Sequence, residues 1–229
     1  MRLLLKRSLL SLGFDIQKRW PIYFAMGVGL GSLIQIISIL PASLFGWYQV
    51  VGYSWQFNPA SIFGPAFFYA FFFCAEIGVI EEVMFRGFLL QIINDRHSLK
   101  TAVVISSVVF GLLHFGGLRS DFPWYMSLVS ATLTGFLFAQ AFLVHRNLLL
   151  PIGIHFSWHF TARLLGDVGV GPNEAMFLVT EVKGPVLLVN PRSGGAGIFE
   201  LVGVAVASLS LYWMAKRKGK DRSRIKVAL

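Results

Sequence analysis

The chain has 229 residues, of which 55% are hydrophobic and only 14% are charged. Because soluble domains carry about 25% charged residues, this composition excludes an ordinary soluble domain and favours a protein that uses the bilayer as its solvent. The net charge of +9 does not indicate a nucleic-acid partner, since the basic residues are gathered at the two ends of the chain.

Residues 1–20 form a basic arm with short apolar runs, and no small-residue cleavage site follows them. We therefore predict that this arm is a retained interfacial helix and not a signal peptide. The last segment, 216–229, is also basic and is predicted to be a cytoplasmic tail. Residues 21–215 are predicted to form one membrane-embedded domain, because the sequence shows no internal repeat and no low-complexity tract.

Six windows of this domain reach or approach the roughly 20 apolar residues that a membrane-crossing helix needs. They lie near residues 21–45, 62–82, 101–118, 123–144, 147–165 and 198–215. The second helix is expected to continue past the membrane surface, because residues 81–93 have helix-forming composition and Gly87 is their one breaker. The sequence thus predicts an all-α polytopic bundle of about six transmembrane helices.

The distribution of Lys and Arg predicts the orientation of this bundle. Six crossings place both termini on one side, and both termini are strongly basic, whereas residues 46–61 contain no Lys or Arg. We therefore expect an integral membrane protein with both termini cytoplasmic. The 166–197 loop is rich in Gly and Pro and has no strong helical period, so we expect it to form an ordered or partly ordered cap on the external side.

Ionisable side chains inside apolar windows are functional suspects, because burying one at mid-bilayer costs several kcal/mol. The suspects are Glu76, Glu81, Glu82 and Arg86 in the second window, His114 in the third, and His155, His159 and Arg163 in the fifth. The one cysteine, Cys74, lies in an apolar run and is expected to be structural, so no cysteine nucleophile is predicted.

Within the second window, Glu82 and Arg86 are four residues apart, a spacing that favours an ion pair on one helical face. Glu81 then remains free for proton transfer, about 100° around the helix. The alternative is that both glutamates mark the cytoplasmic edge of the span and face water.

His155 and His159 are one helical turn apart, so both imidazoles are expected to point the same way, as in zinc-binding helices and in paired hydrogen-bond donors. His114 taken alone is as readily explained as a core residue. However, Glu81, His114 and His155 are predicted to lie at similar depths. They would then converge on a pocket with the parts needed for attack by water on an amide carbonyl.

These residues resemble the motifs of a family of intramembrane proteases, the type II CAAX prenyl endopeptidase and bacteriocin-processing (CPBP) family. The family patterns EE-x-x-x-R, F-x-x-x-H and H-x-x-x-N/D correspond here to Glu81, Glu82 and Arg86, to Phe110 and His114, and to His155 with position 159. The resemblance covers roughly residues 62–165. The stretch LPIGIHFSWHF, residues 150–160, is similar to the family's bacterial members, which implies a bacterial inner membrane. The resemblance also implies a glutamate-dependent endopeptidase in which Glu81, helped by His114, activates water, while His155 and residue 159 stabilise the oxyanion.

The chain departs from the family at position 159, where His replaces the usual Asn or Asp. A neutral imidazole donates one hydrogen bond, as an amide does, so the oxyanion role survives. The substitution also creates a set of three histidines, His114, His155 and His159, that is chemically acceptable as a zinc site with Glu81 as base. The cofactor is left open by the sequence, with zinc as the candidate.

The sequence therefore predicts an intramembrane endopeptidase that acts on a peptide or protein substrate, either a prenylated CAAX-type tail or a peptide undergoing maturation. One alternative is a proton- or metal-coupled transporter with Glu76, Glu81 and the histidines as a relay, although the matched repeats of such transporters are not seen. The other alternative is an inactive membrane scaffold, which the unusual His159 leaves open.

Overall fold

The computed structural model describes residues 12–14, 20–57, 60–114, 123–166, 177–185, 187–189 and 197–227. The described part of the chain is mostly helical, as the apolar windows predict. The predicted interfacial helix of the N-terminal arm lies largely outside the described residues, as does most of the predicted external cap.

The helices, in chain order, are α1 (Trp20–Leu44), α2 (Ser54–Phe57), α3 (Ala60–Glu82), α4 (Leu90–Arg96), α5 (Leu99–Leu113), α6 (Trp124–His145), α7 (Leu149–Leu164) and α8 (Ile198–Val227). A π-helical segment, Val83–Leu89, joins α3 directly to α4, which confirms that the second predicted helix continues past residue 82. Each of the six predicted windows falls on one of these helices. The last helix extends into the segment that was predicted to be a tail.

Six membrane crossings are not confirmed. Among the described residues, three helices are long and apolar enough to span a bilayer: Trp20–Leu44, Trp124–His145 and Ile198–Arg217. Helices α5 and α7 have 15 and 16 residues, and at 1.5 Å per residue they reach only about 22–24 Å, short of a hydrocarbon core of about 30 Å. Helix α7 is largely buried in the bundle, whereas α5 has an exposed apolar face that includes Val104, Val108 and Leu112.

The all-α prediction needs a correction, because the structure contains a small sheet. Strand β1 (Tyr48–Tyr53) pairs antiparallel with β2 (Leu178–Val182). The β1 segment contains aromatic and β-branched residues, which fit a strand, but it is short and its partner is distant in the chain. Tyr48 also donates its hydroxyl to the carbonyl of Leu165, and burial raises the pKa of Tyr48 to about 12. The sheet is thereby tied to the end of α7.

Helix α7 is held in the bundle by close contact with α1. A Cβ at Gly31 would lie 2.5 Å from the carbonyl oxygen of Ile154, and a Cβ at Gly153 would lie 2.4 Å from that of Phe24. Small residues at these points let the two backbones approach, which is how helices pack without a hydrophobic driving force between them. Ser32 and Thr161 add a hydrogen bond of 2.8 Å between the same two helices. Close backbone packing and this hydrogen bond therefore fix α7 against α1.

The other face of α7 packs on α3, where Phe71 contacts the ring of Phe156 at 5.2 Å and that of Phe160 at 5.7 Å. Helix α6 packs on α5 through Gly135, whose Cβ would lie 2.9 Å from the Cα of Ser107. The outer faces of the bundle are apolar and exposed, with Leu33, Phe72 and Val206 among many large side chains at the surface. A lipid environment accounts for such faces.

Candidate active site

The first part of the site is a buried ion pair at the junction of α3 with the π-helical segment. Arg86 Nη1 donates to Glu82 Oε1 at 2.9 Å, and neither side chain is exposed. The four-residue spacing predicts this pair. Arg86 Nη2 also donates to the carbonyl of Gly135 on α6 at 2.9 Å. The ion pair therefore joins two helices, at a π-helical segment of the kind that often marks functional sites.

Glu82 also fixes the orientation of His155 on α7. Its Oε1 atom lies 2.9 Å from His155 Nδ1, and because a carboxylate oxygen accepts, Nδ1 carries the proton. The imidazole is 2% exposed and stacks on Phe138, with 4.6 Å between ring centroids and 16° between planes. In its neutral form, His155 therefore presents an unprotonated Nε2 atom on its other side.

His159 lies one turn further along α7 and contacts that free nitrogen. The two Nε2 atoms are 3.2 Å apart. Since the His155 Nε2 atom accepts, the proton between the rings belongs to His159 Nε2. The two histidines thus face one another and share one N–H group.

Glu81 and His114 complete the cluster. His114 Nδ1 lies 2.7 Å from the carbonyl of Phe110 and donates to it, so the Nε2 atom of the neutral ring is an acceptor. Glu81 Oε2 lies 3.5 Å from His114 Nε2 and 3.8 Å from His155 Nε2. Oε2 is buried and has no hydrogen-bond partner among the described residues. Two acceptors therefore face each other, and a proton placed between Glu81 and His114 would satisfy both.

The structure brings together the four residues that were predicted as catalytic: Glu81, His114, His155 and His159. They come from α3, the C-terminus of α5, and α7. The side chains of Glu81 and His114 are 25% and 37% exposed, whereas His155 is almost fully buried. The Glu81 side of the cluster therefore opens at the protein surface, while the His155 side is enclosed by protein.

The geometry of the described residues gives no support to zinc, the candidate that the sequence leaves open. Among the described residues, no group of three or more His, Cys, Asp or Glu side chains is arranged to hold a metal ion. The observed arrangement is that of a hydrogen-bonding cluster.

Aromatic rings pack against the cluster and against the Arg86 guanidinium. Phe110 stacks on His114 with 4.2 Å between centroids, and the Arg86 guanidinium lies 4.7 Å from the Phe110 ring and 5.0 Å from the Phe138 ring. The sequence patterns include Phe110 but not Phe138 or Gly135. Nothing in the local sequence of α6 indicates that these two residues contact the site, since their partners lie on other helices.

The remaining suspects are not part of the cluster. Glu76 is exposed on the outer side of α3, and Arg163 lies over the ring of Phe73 at 5.4 Å. Cys74 is buried, in keeping with a structural role.

Comparison with known proteins identifies the segment that contains this cluster. Residues 63–161 match the family model described as Type II CAAX prenyl endopeptidase Rce1-like. The match includes all four cluster residues and confirms the resemblance seen in the motifs. Searches of curated proteins and of solved structures found no match to the chain.

Proposed function

We propose that this chain is an integral membrane protease acting on a peptide or protein, and that Glu81 is its general base. The match of the segment that contains the cluster to the Rce1-like family model, together with the apolar helices, supports this proposal. The observation that carries the proposal is the convergence of Glu81 with three imidazoles, at 3.5 Å from His114 and 3.8 Å from His155. Glu82, by contrast, is fully buried and already accepts two hydrogen bonds. Glu81 is the carboxylate that remains free to take a proton.

In the proposed reaction, Glu81 removes a proton from a water molecule as the water oxygen attacks the carbonyl carbon of the scissile amide. The carboxyl group that results donates a hydrogen bond to His114 Nε2, which faces Oε2 as an acceptor. Collapse of the tetrahedral intermediate breaks the C–N bond, and Glu81 returns the proton to the leaving nitrogen. The water therefore ends as the hydroxyl of one product and the amine proton of the other.

His159 is the proposed oxyanion donor. Its Nε2–H group points at His155 Nε2 in the resting site, and a developing oxyanion is a stronger acceptor than a neutral imidazole. His155 in its neutral form has no proton on Nε2 and instead orients His159. This division of roles is narrower than the resemblance implies, where both residues stabilise the oxyanion.

Glu82 and Arg86 are proposed to act through His155. Arg86 balances the negative charge of Glu82, and Glu82 accepts the hydrogen bond that orients the His155 ring. Removal of the ion pair would free His155 to rotate, and His159 would then lose its partner. The proposed substrate is a CAAX-type peptide, and a comparison of prenylated with unprenylated peptides decides whether the lipid is required.

The test is turnover of an internally quenched peptide by purified protein, with wild type compared to Glu81→Gln. The amide keeps the shape of the side chain but does not act as a base, so turnover should fall by about 10²–10⁴-fold. Glu76→Gln is the matched control, because Glu76 lies on the same helix and is exposed outside the cluster; its turnover should stay near that of wild type. Wild-type turnover by a folded Glu81→Gln protein would contradict the proposal.

A further inference from the structure

A long apolar groove lies between α1 and α8, apart from the catalytic cluster. Its volume is about 690 Å³, and its walls include Leu33, Ile37, Val202 and Val206. His145 and Ser210 are the polar side chains that line it, and Ser210 donates to the carbonyl of Val206. None of the four cluster residues lines this groove.

The walls of the groove are two of the three candidate membrane spans. On α1 the lining extends from Met26 to Pro41, and on α8 it extends from Phe199 to Met214. At 1.5 Å per residue each wall is about 22 Å long. The groove therefore opens toward the hydrocarbon region and runs along most of its thickness, which is the shape that an extended hydrocarbon chain would fill.

One end of the groove is basic. Ile39 and Ala42 near the end of α1 pack in one cluster with Phe199 at the start of α8, so the two helices run in opposite directions and Met26 and Met214 lie together at the other end. Tyr23 packs there on His145 at the end of α6. The cations that follow there, Arg146, Lys216 and Arg217, are exposed.

The same end has the aromatic residues of a membrane–water interface. Tyr212 and Trp213 are 42% and 55% exposed, and Lys216 Nζ lies 5.9 Å and 5.1 Å from their ring centroids. Exposed Trp and Tyr beside Lys are typical of the headgroup region. The basic end of the groove is thus at the depth of lipid headgroups.

We propose that this groove binds an anionic phospholipid, with an acyl chain along α1 and α8 and the phosphate at Arg146 and Arg217. One acyl chain fits this groove because the groove is long and apolar. The cations are placed to meet the phosphate where the apolar lining ends. A second copy of this chain is a poorer occupant, because a two-fold interface through α8 would bring one basic end near another. This inference does not depend on the proposed peptidase activity.

The test uses two glycines that each have room for a side chain. A Cβ at Gly29, which lines the groove, would have no atom within 4 Å, and the same holds for Gly64 on α3, which does not line it. Gly29→Phe should therefore fill the groove without strain, and Gly64→Phe is the matched control. Native mass spectrometry of protein from vesicles of phosphatidylglycerol and phosphatidylcholine counts the retained lipid.

Wild type and Gly64→Phe should each retain one phosphatidylglycerol, and Gly29→Phe should retain about tenfold less, a change of about 1.4 kcal/mol in binding. Neutralising both cations of the proposed phosphate site, with Arg146→Gln and Arg217→Gln, should remove the preference for phosphatidylglycerol. Arg96→Gln, at the exposed end of α4, should leave that preference unchanged. Equal retention of the two lipids by wild type, full retention by Gly29→Phe, or a dimer mass in place of bound lipid would each overturn the proposal.

Discussion

Removal of Arg86 tests how the site is held together. In Arg86→Met, Glu82 loses the cation at 2.9 Å and keeps only His155 as a partner of Oε1. Both side chains are fully buried, and an uncompensated buried charge costs about 3–5 kcal/mol. For a chain of this size about 1 kcal/mol corresponds to 2–4 °C, so we expect a fall of roughly 6–20 °C in the unfolding temperature in detergent.

A second substitution separates the charge from the loss of packing. Glu82→Gln added to Arg86→Met removes the unpaired charge, while the amide oxygen still accepts from His155 Nδ1. The double variant should therefore recover roughly 2 kcal/mol of stability relative to Arg86→Met, although the two positions are coupled and their effects do not add. Arg96→Met, at an exposed basic residue on α4, is the control and should change stability by no more than about 0.5 kcal/mol.

The measurement is thermal unfolding of the purified variants, followed by intrinsic fluorescence and by the loss of the monodisperse peak in size exclusion. An Arg86→Met protein as stable as wild type would refute the claim that the pair neutralises Glu82. A double variant no more stable than Arg86→Met would show that packing of the guanidinium on Phe110 and Phe138, and not charge, dominates.

Three further predictions concern other parts of the molecule. His159→Asn should keep turnover within about tenfold of wild type, since an amide N–H can replace the imidazole donor. If elemental analysis instead finds zinc in the wild type, and the variant loses zinc and activity together, the site binds a metal. Reporter fusions should place both termini in the cytoplasm, and a C-terminal reporter on the external side would be incompatible with an even number of crossings. Gly31→Leu should lower the yield of folded protein strongly, because even a Cβ would lie 2.5 Å from Ile154 O, whereas Gly29→Leu should be tolerated.

The positions of the helices follow from the sequence because each depends on a continuous apolar run. The window near 123–144, for example, corresponds to Trp124–His145. Contacts between residues one turn apart on a helix could also be predicted from the sequence. The spacing of Glu82 and Arg86 predicts their ion pair, and the spacing of His155 and His159 predicts that both rings face the same way. In these cases the geometry of a single helix determines the contact.

The tertiary structure decided which of these groups meet. Glu82 contacts His155 across 73 residues, and Arg86 reaches the carbonyl of Gly135 across 49, so neither contact has a local pattern. The pairing of β1 with β2, which adds a small sheet to the mostly helical fold, is also long-range. The tautomers of His155 and His159 also depend on such contacts, because the partner of one ring nitrogen determines what the other nitrogen can do.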